Sequence, residues 1–160
     1  MLTVNIICIG KLKEKYLVDG CNEYTKRLRA FCNINIIELS EYKVPDNPSQ
    51  KEIENCIEKE GEKILSKITN GSFVVSMCIE GKILSSEELA ERLKFAADNS
   101  FSTVNFVIGG SFGLSPKLKE LSNLKLSMSR MTFPHQLARV MILEQIYRGF
   151  GINTNSKYHK

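Results

Sequence analysis

Val104-Asn105-Phe106-Val107-Ile108-Gly109-Gly110-Ser111-Phe112-Gly113-Leu114-Ser115-Pro116 is the stretch on which the fold turns. Its first five residues form an apolar run of strand length. Glycines at 109, 110 and 113 interrupt it, and Ser115-Pro116 carries the N-cap and N1 chemistry of a short helix. A strand that ends in a glycine-rich loop and passes into a helix belongs to an α/β sheet with parallel strands. Ligands of open α/β sheets bind at the carboxyl ends of strands, and glycines there let backbone groups approach them. The loop is not G-x-G-x-x-G, and no Gly-Lys-[Ser/Thr] exists to make a P-loop.

The same alternation runs outward in both directions. Residues 2–9 read as a buried strand, and Leu17, Cys21, Tyr24 and Leu28 mark a first helix. Residues 34–39 are a second strand, and the polar stretch with Pro45 and Pro48 is a long loop. Ser49-x-x-Glu52 and Ser85-x-x-Glu88 are capping boxes that open two further helices. Residues 73–79 are a third strand, after which Glu80-Gly81 is expected to turn the chain. Asn70-Gly71-Ser72 reads as a turn despite matching a glycosylation sequon. Leu124, Leu126 and Met128 alternate as a fifth strand, Phe133-Pro134 breaks it, and a last helix runs from about His135 to Arg148. With no repeat, low-complexity segment or linker, residues 1–160 read as one α/β domain, a mostly parallel sheet with helices on both faces.

The chain has 160 residues, 42% hydrophobic and 25% charged, which excludes disordered and fibrous classes. Cysteines at 8, 21, 32, 56 and 78 are odd in number, lack C-x-x-C spacing and all lie in the first half. They read as small core residues of a cytoplasmic protein, not a disulfide framework. His135 and His159, the only histidines, lie far in sequence from any cysteine, so no zinc site is expected. The apolar start is too short to span a membrane, and it lacks the basic n-region of a signal peptide.

Charge and ligand chemistry gather toward the C-terminus. Residues 1–80 carry 11 basic and 12 acidic side chains, whereas residues 81–160 carry 11 and 6. Met128–His135 is a second irregular strand-end loop, mostly neutral, suited with the glycine loop to a ligand gripped by backbone and apolar contacts. The last helix is apolar nearly all round, so one side is expected on the sheet and another on a second subunit of a homodimer. The ending Ser156-Lys157-Tyr158-His159-Lys160 offers a stacking ring, an imidazole and two cations, a set suited to an RNA base and its phosphates.

These pieces together resemble the RlmH family, small SPOUT-class methyltransferases of bacterial 23S rRNA. The matching residues are Ile9-Gly10-Lys11-Leu12-Lys13, Lys59-Glu60-Gly61-Glu62, Val107-Ile108-Gly109-Gly110-Ser111-x-Gly113-Leu114 and Met131-Thr132-Phe133-Pro134-His135-Gln136. The match continues through Arg139-Val140-x-x-x-Glu144-Gln145-x-Tyr147-Arg148 to Tyr158-His159-Lys160 and covers essentially the whole chain. Phe112 departs from it, standing where the family tends to carry a polar or smaller residue. The resemblance implies a C-terminal trefoil knot, a homodimer, S-adenosylmethionine as methyl donor, and methylation of an rRNA pseudouridine at N3 on the ribosome. Carried over by position, it implies cofactor contacts at Met77, Gly109, Gly110, Met128, Ser129, Arg130, Met131, Thr132 and Phe133.

For that reaction a cation must stabilise the imide anion and a base must take the N3 proton. Arg139 or Arg148 is the expected cation, His159 or Glu144 the proton acceptor, and Tyr158 the residue that stacks on or orients the base. Lys117, Lys119, His135, Lys157 and Lys160 are the expected RNA contacts. Glu144 and Arg148 are also spaced to form an ordinary i, i+4 pair. Two other readings remain at this point: a non-catalytic ribosome-binding factor, and a nucleotide-binding oxidoreductase. The second would want a third glycine and a ribose-binding acid, which the stretch after Gly113 lacks.

Overall fold

The computed structural model describes residues 1–160. Five strands alternate with five helices: β1 (Thr3–Ile9), α1 (Lys15–Leu28), β2 (Asn33–Leu39), α2 (Gln50–Leu65), β3 (Phe73–Ile83), α3 (Ser86–Asp98), β4 (Thr103–Ile108), α4 (Pro116–Leu121), β5 (Leu124–Ser127) and α5 (His135–Asn153). The strands form one sheet in the order β2-β1-β4-β3-β5, and every pair is parallel. Parallel neighbours need crossover connections, so each helix must lie on a face of the sheet.

The apolar periodicities assign those faces. Cys21 and Leu28 of α1, Leu89, Leu93 and Ala96 of α3, and Ile142, Leu143 and Ile146 of α5 share one core with Val4, Ile6, Phe73, Val104 and Phe106. Ile64 of α2 and Leu118 of α4 meet Ile7, Ile9, Val74 and Val107 on the opposite face. Successive side chains of a strand point to opposite faces, which is why buried β1 feeds both clusters. Cys8, Cys21, Cys32 and Cys56 are buried, and burial pushes the Cys8 thiol up to about 11.

Three asparagines interrupt the apolar strands at paired positions. Asn5 is in register with both Asn35 and Asn105. Asn35 Nδ2 donates to Asn5 Oδ1 (2.9 Å), Asn5 Nδ2 to Asn105 Oδ1 (2.9 Å), and Asn105 Nδ2 to Ser72 Oγ (2.7 Å). The chain of amides satisfies the interior ones and fixes the register of three strands.

Several expectations are corrected. Glu80-Gly81 does not turn the chain: β3 continues to Ile83, with a register break against β5 between Met77 and Lys82. Gly81 serves close strand approach instead, since a Cβ there would lie 2.7 Å from the Lys125 carbonyl. The last helix runs to Asn153, five residues beyond Arg148. Its glycines permit packing rather than end it, and a Cβ at Gly149 would meet Leu93 Cδ1 at 2.9 Å. β5 stops at Ser127, one residue before Met128. Ser49 and Glu52 close a full capping box, while Ser85 makes only the serine half.

α5 packs on both α3 and α1, although it follows β5 at the sheet edge beyond β3. Leu137, Val140, Met141, Tyr147 and Phe150 of α5 stay only half-buried.

Candidate active site

The carboxyl ends of β3, β4 and β5 open into a cavity of about 750 Å³. That volume suits a small-molecule ligand of nucleoside size. β3 contributes Met77, β4 contributes the glycine loop, and β5 contributes the segment from Met128 to His135.

The glycine loop is narrow because of its own backbone. Gly110 and Gly113 form an isolated bridge, with Gly113 N–H donating to Gly110 O at 3.1 Å. Gly113 has φ +89°, a conformation that favours glycine. A Cβ at Gly109 would lie 2.7 Å from the Gly113 carbonyl carbon. The second loop is braced by serines: Ser127 Oγ donates to Ser129 O (2.8 Å), and Ser129 Oγ accepts from Met131 N–H (3.0 Å).

Of the nine residues expected at the cofactor, eight line this cavity: Met77, Gly109, Gly110, Met128, Ser129, Met131, Thr132 and Phe133. Arg130 does not. His135 and Lys119 line it, and so does Phe112, at the point where the loop departs from the family pattern. Sequence reasoning missed Glu80, which the continuation of β3 carries into the wall. Lys119 pairs with Glu80, and its hydrogen bond holds that carboxyl below the usual range. Lys117, Lys157 and Lys160 are exposed, away from the cavity lining.

The expected catalytic residues divide into two places. Arg139 is buried within the fold: its guanidinium donates to Glu38 Oε2 (2.6 Å) and to the Gly10 carbonyl (3.1 Å). The other four meet in one network. Glu144 Oε1 accepts from Arg148 Nε (3.0 Å) and Nη2 (2.6 Å), and Glu144 Oε2 accepts from the Tyr158 hydroxyl (2.9 Å). Arg148 Nη1 lies 3.2 Å from His159 Nδ1, and His159 Nε2 lies 2.8 Å from Glu87 Oε1. Since arginine can only donate, Nδ1 is the acceptor and Nε2 carries the proton toward Glu87. The Arg148 guanidinium also lies 4.7 Å over the Tyr158 ring, which packs edge-on against Tyr147.

Burial pushes the Glu144 carboxyl up, but hydrogen bonds from Tyr24, Arg148 and Tyr158 outweigh it and hold the group below the usual carboxylate range. None of the four network residues lines the cavity of its own chain. Along α5, Ala138 is the last lining residue, and the helical rise puts Glu144 about 9 Å and Arg148 about 15 Å beyond it. No group of three His, Cys, Asp or Glu side chains is placed to hold a metal ion, and no helix is long and apolar enough to cross a membrane.

Comparison with known proteins bears on the chemistry. A family model described as "Predicted SPOUT methyltransferase" matches residues 2–159. "Ribosomal RNA large subunit methyltransferase H" of Clostridium acetobutylicum is 52% identical over 159 residues, covering 99% of this chain and all of that protein. The protein of the same name from Bacillus pumilus is 50% identical over the same lengths. A solved structure, a probable methylase family protein from Haemophilus influenzae Rd KW20, superposes with a TM-score of 0.54 over 98% of this chain and 70% of its own. At 11% identity that likeness speaks for the fold alone.

Proposed function

This chain belongs to the SPOUT methyltransferase family, within its RlmH branch, and from that premise we propose that it methylates large-subunit ribosomal RNA at N3 of a pseudouridine, with S-adenosylmethionine as donor. The observation that carries the proposal is the cavity: two strand-end loops and Met77 of β3 bring eight of the nine expected cofactor residues to one wall. Their chemistry fits the donor. Met77, Met128, Met131 and Phe133 offer apolar surface to a nucleoside, and the missing side chains of Gly109 and Gly110 leave backbone groups open to it. When bound, S-adenosylmethionine supplies an electrophilic methyl carbon on a sulfonium.

The chain's own residues have to orient the base and remove the N3 proton. We assign the cationic role to Arg148 and not Arg139, because Arg139 is buried and spent on Glu38 and Gly10. Proton transfer falls to His159 rather than Glu144. Glu144 already accepts from Arg148 and Tyr158 and is held too acidic to take a proton near neutrality. The His159 Nδ1 lone pair faces Arg148, so the imidazole accepts the proton at Nδ1 once that contact is exchanged for the substrate, while Nε2–H stays on Glu87. Tyr158 stacks on or orients the base, and Lys117, Lys119, His135, Lys157 and Lys160 contact the RNA backbone.

Because the Tyr-His cluster lies away from the cavity of its own chain, we place it over the cavity of a second subunit in a homodimer. The half-buried apolar residues of α5 support that contact. Mixing two inactive variants tests the arrangement: one lacking residues 158–160 and one with Gly109→Val. Refolded together, half the dimers are mixed and each keeps one intact composite site, so methylation returns to about a quarter of wild type. No recovery in verified mixed dimers overturns the shared site.

A further inference from the structure

The motif Lys59-Glu60-Gly61-Glu62 on α2 has no part in the reaction described above. Its glutamate is nonetheless unusual, being the only buried acid, at 4% exposure. Glu60 Oε2 accepts from Tyr42 N–H at 3.0 Å, while Oε1 is buried and accepts nothing. Only one other buried side-chain polar atom in the chain, Arg139 Nε, lacks a partner. A stranded buried carboxylate oxygen is costly, and such an atom signals a partner that arrives later.

The surroundings of Oε1 identify that partner. Gly110 lies directly against it: a Cβ there would come within 3.0 Å of Oε1. Gly110 also lines the cavity. The Ser111 amide donates to no acceptor within the chain, and the Gly110 amide faces Gly113 across their bridge without a close hydrogen bond. Gly61 makes room for the far end of the same loop, since a Cβ on it would meet Ser115 Oγ, the N-cap of α4, at 2.7 Å. The Glu60-Gly61 pair thus underlies the glycine loop from Gly110 to Ser115, with an unused acceptor beneath unused donors.

We propose that Glu60 is a positioning residue for the cofactor: its Oε1 accepts the N–H of Gly110 or Ser111 when the glycine loop closes on the ligand, while Oε2 keeps Tyr42. No proton changes hands; one hydrogen bond is gained. The Tyr42 contact ties the loop after β2 to the same carboxylate, so cofactor binding also stiffens that loop. This inference rests on the reading of the cavity as the S-adenosylmethionine site.

Glu60→Gln separates the role from simple packing. Its amide oxygen can retain Tyr42, but its NH2 then faces the loop amides, donor against donor. Calorimetry with S-adenosylmethionine should show about tenfold weaker binding in the folded variant. Glu62→Gln, an exposed change one residue beyond Gly61, should bind like wild type. Hydrogen exchange on the wild-type protein gives a reading that needs no variant: the Gly110 and Ser111 amides should slow on adding S-adenosylmethionine. Equal affinity in Glu60→Gln, or exchange unchanged by bound cofactor, overturns the positioning role and leaves the cofactor reading intact. A wild-type protein that binds no S-adenosylmethionine overturns both.

Discussion

Arg139→Met separates a structural arginine from a catalytic one. The guanidinium donates to the Gly10 carbonyl at 3.1 Å and to Glu38 at 2.6 Å. Removing it strands the carbonyl of a buried residue, which costs about 1–3 kcal/mol. The ion pair adds less, because the Glu38 side chain is 36% exposed and can rehydrate, so about 1 kcal/mol is the appropriate figure. Methionine fills most of the vacated length, which keeps any cavity term small. The unpartnered Nε disappears with the substitution and returns a little of the loss. The total is a destabilisation of about 2–4 kcal/mol, with a coupling to Glu38→Gln of about 1 kcal/mol in a double-mutant cycle. Urea unfolding followed by far-ultraviolet circular dichroism measures it, at one protein concentration because the proposed dimer would make stability depend on concentration. If Arg139→Met unfolds within about 0.5 kcal/mol of wild type yet no longer methylates, the structural assignment is refuted and Arg139 acts on the reacting groups.

Gly109→Ala places a Cβ 2.7 Å from the Gly113 carbonyl carbon, so cofactor affinity should fall by more than about tenfold, measured by calorimetry. Deleting residues 158–160 should abolish methylation and leave S-adenosylmethionine binding largely intact; full activity in that truncation sinks the role given to the tail. Glu144 has a lowered pKa in the folded chain, so the stability it lends is present above the ordinary carboxylate range and is lost as pH falls through its folded value. Protection of the amides at residues 156–160, taken relative to their intrinsic exchange rates at each pH, should therefore fall on acidification, and Glu144→Gln should flatten that response. Glu60 behaves oppositely: burial raises its carboxyl, so its contribution is fully present below the ordinary range and fades as pH rises through the raised value. Glu60→Gln should remove that part of the pH dependence of unfolding.

Most of the sheet was legible because buried parallel strands are short apolar runs bounded by caps and glycines. The readings that failed share a cause. Gly81 and Gly149 look like breakers in one dimension, yet each makes room for a neighbour: the Lys125 backbone in one case, Leu93 in the other. Tertiary contact, not local propensity, decides such positions. Asn5, Asn35 and Asn105 did leave a signal, a polar residue at the same depth of three apolar strands. The lining of the cavity was readable from the strand-end loops and the family resemblance together. Arg130 and Arg139 were not, because a side chain's direction at a loop or helix start depends on partners far away in sequence; Glu38 lies 101 residues before Arg139. The i, i+4 spacing foretold the Glu144–Arg148 pair, but nothing local foretold that the tail would bring Tyr158 and His159 back onto it.

Incubating the protein with ribosomes from cells that lack it, together with methyl-labelled S-adenosylmethionine, tests the central claim most directly. Nucleoside analysis of the digested 23S rRNA should show label in a single N3-methylated pseudouridine. Label on another nucleoside, or none despite bound cofactor, would contradict the account.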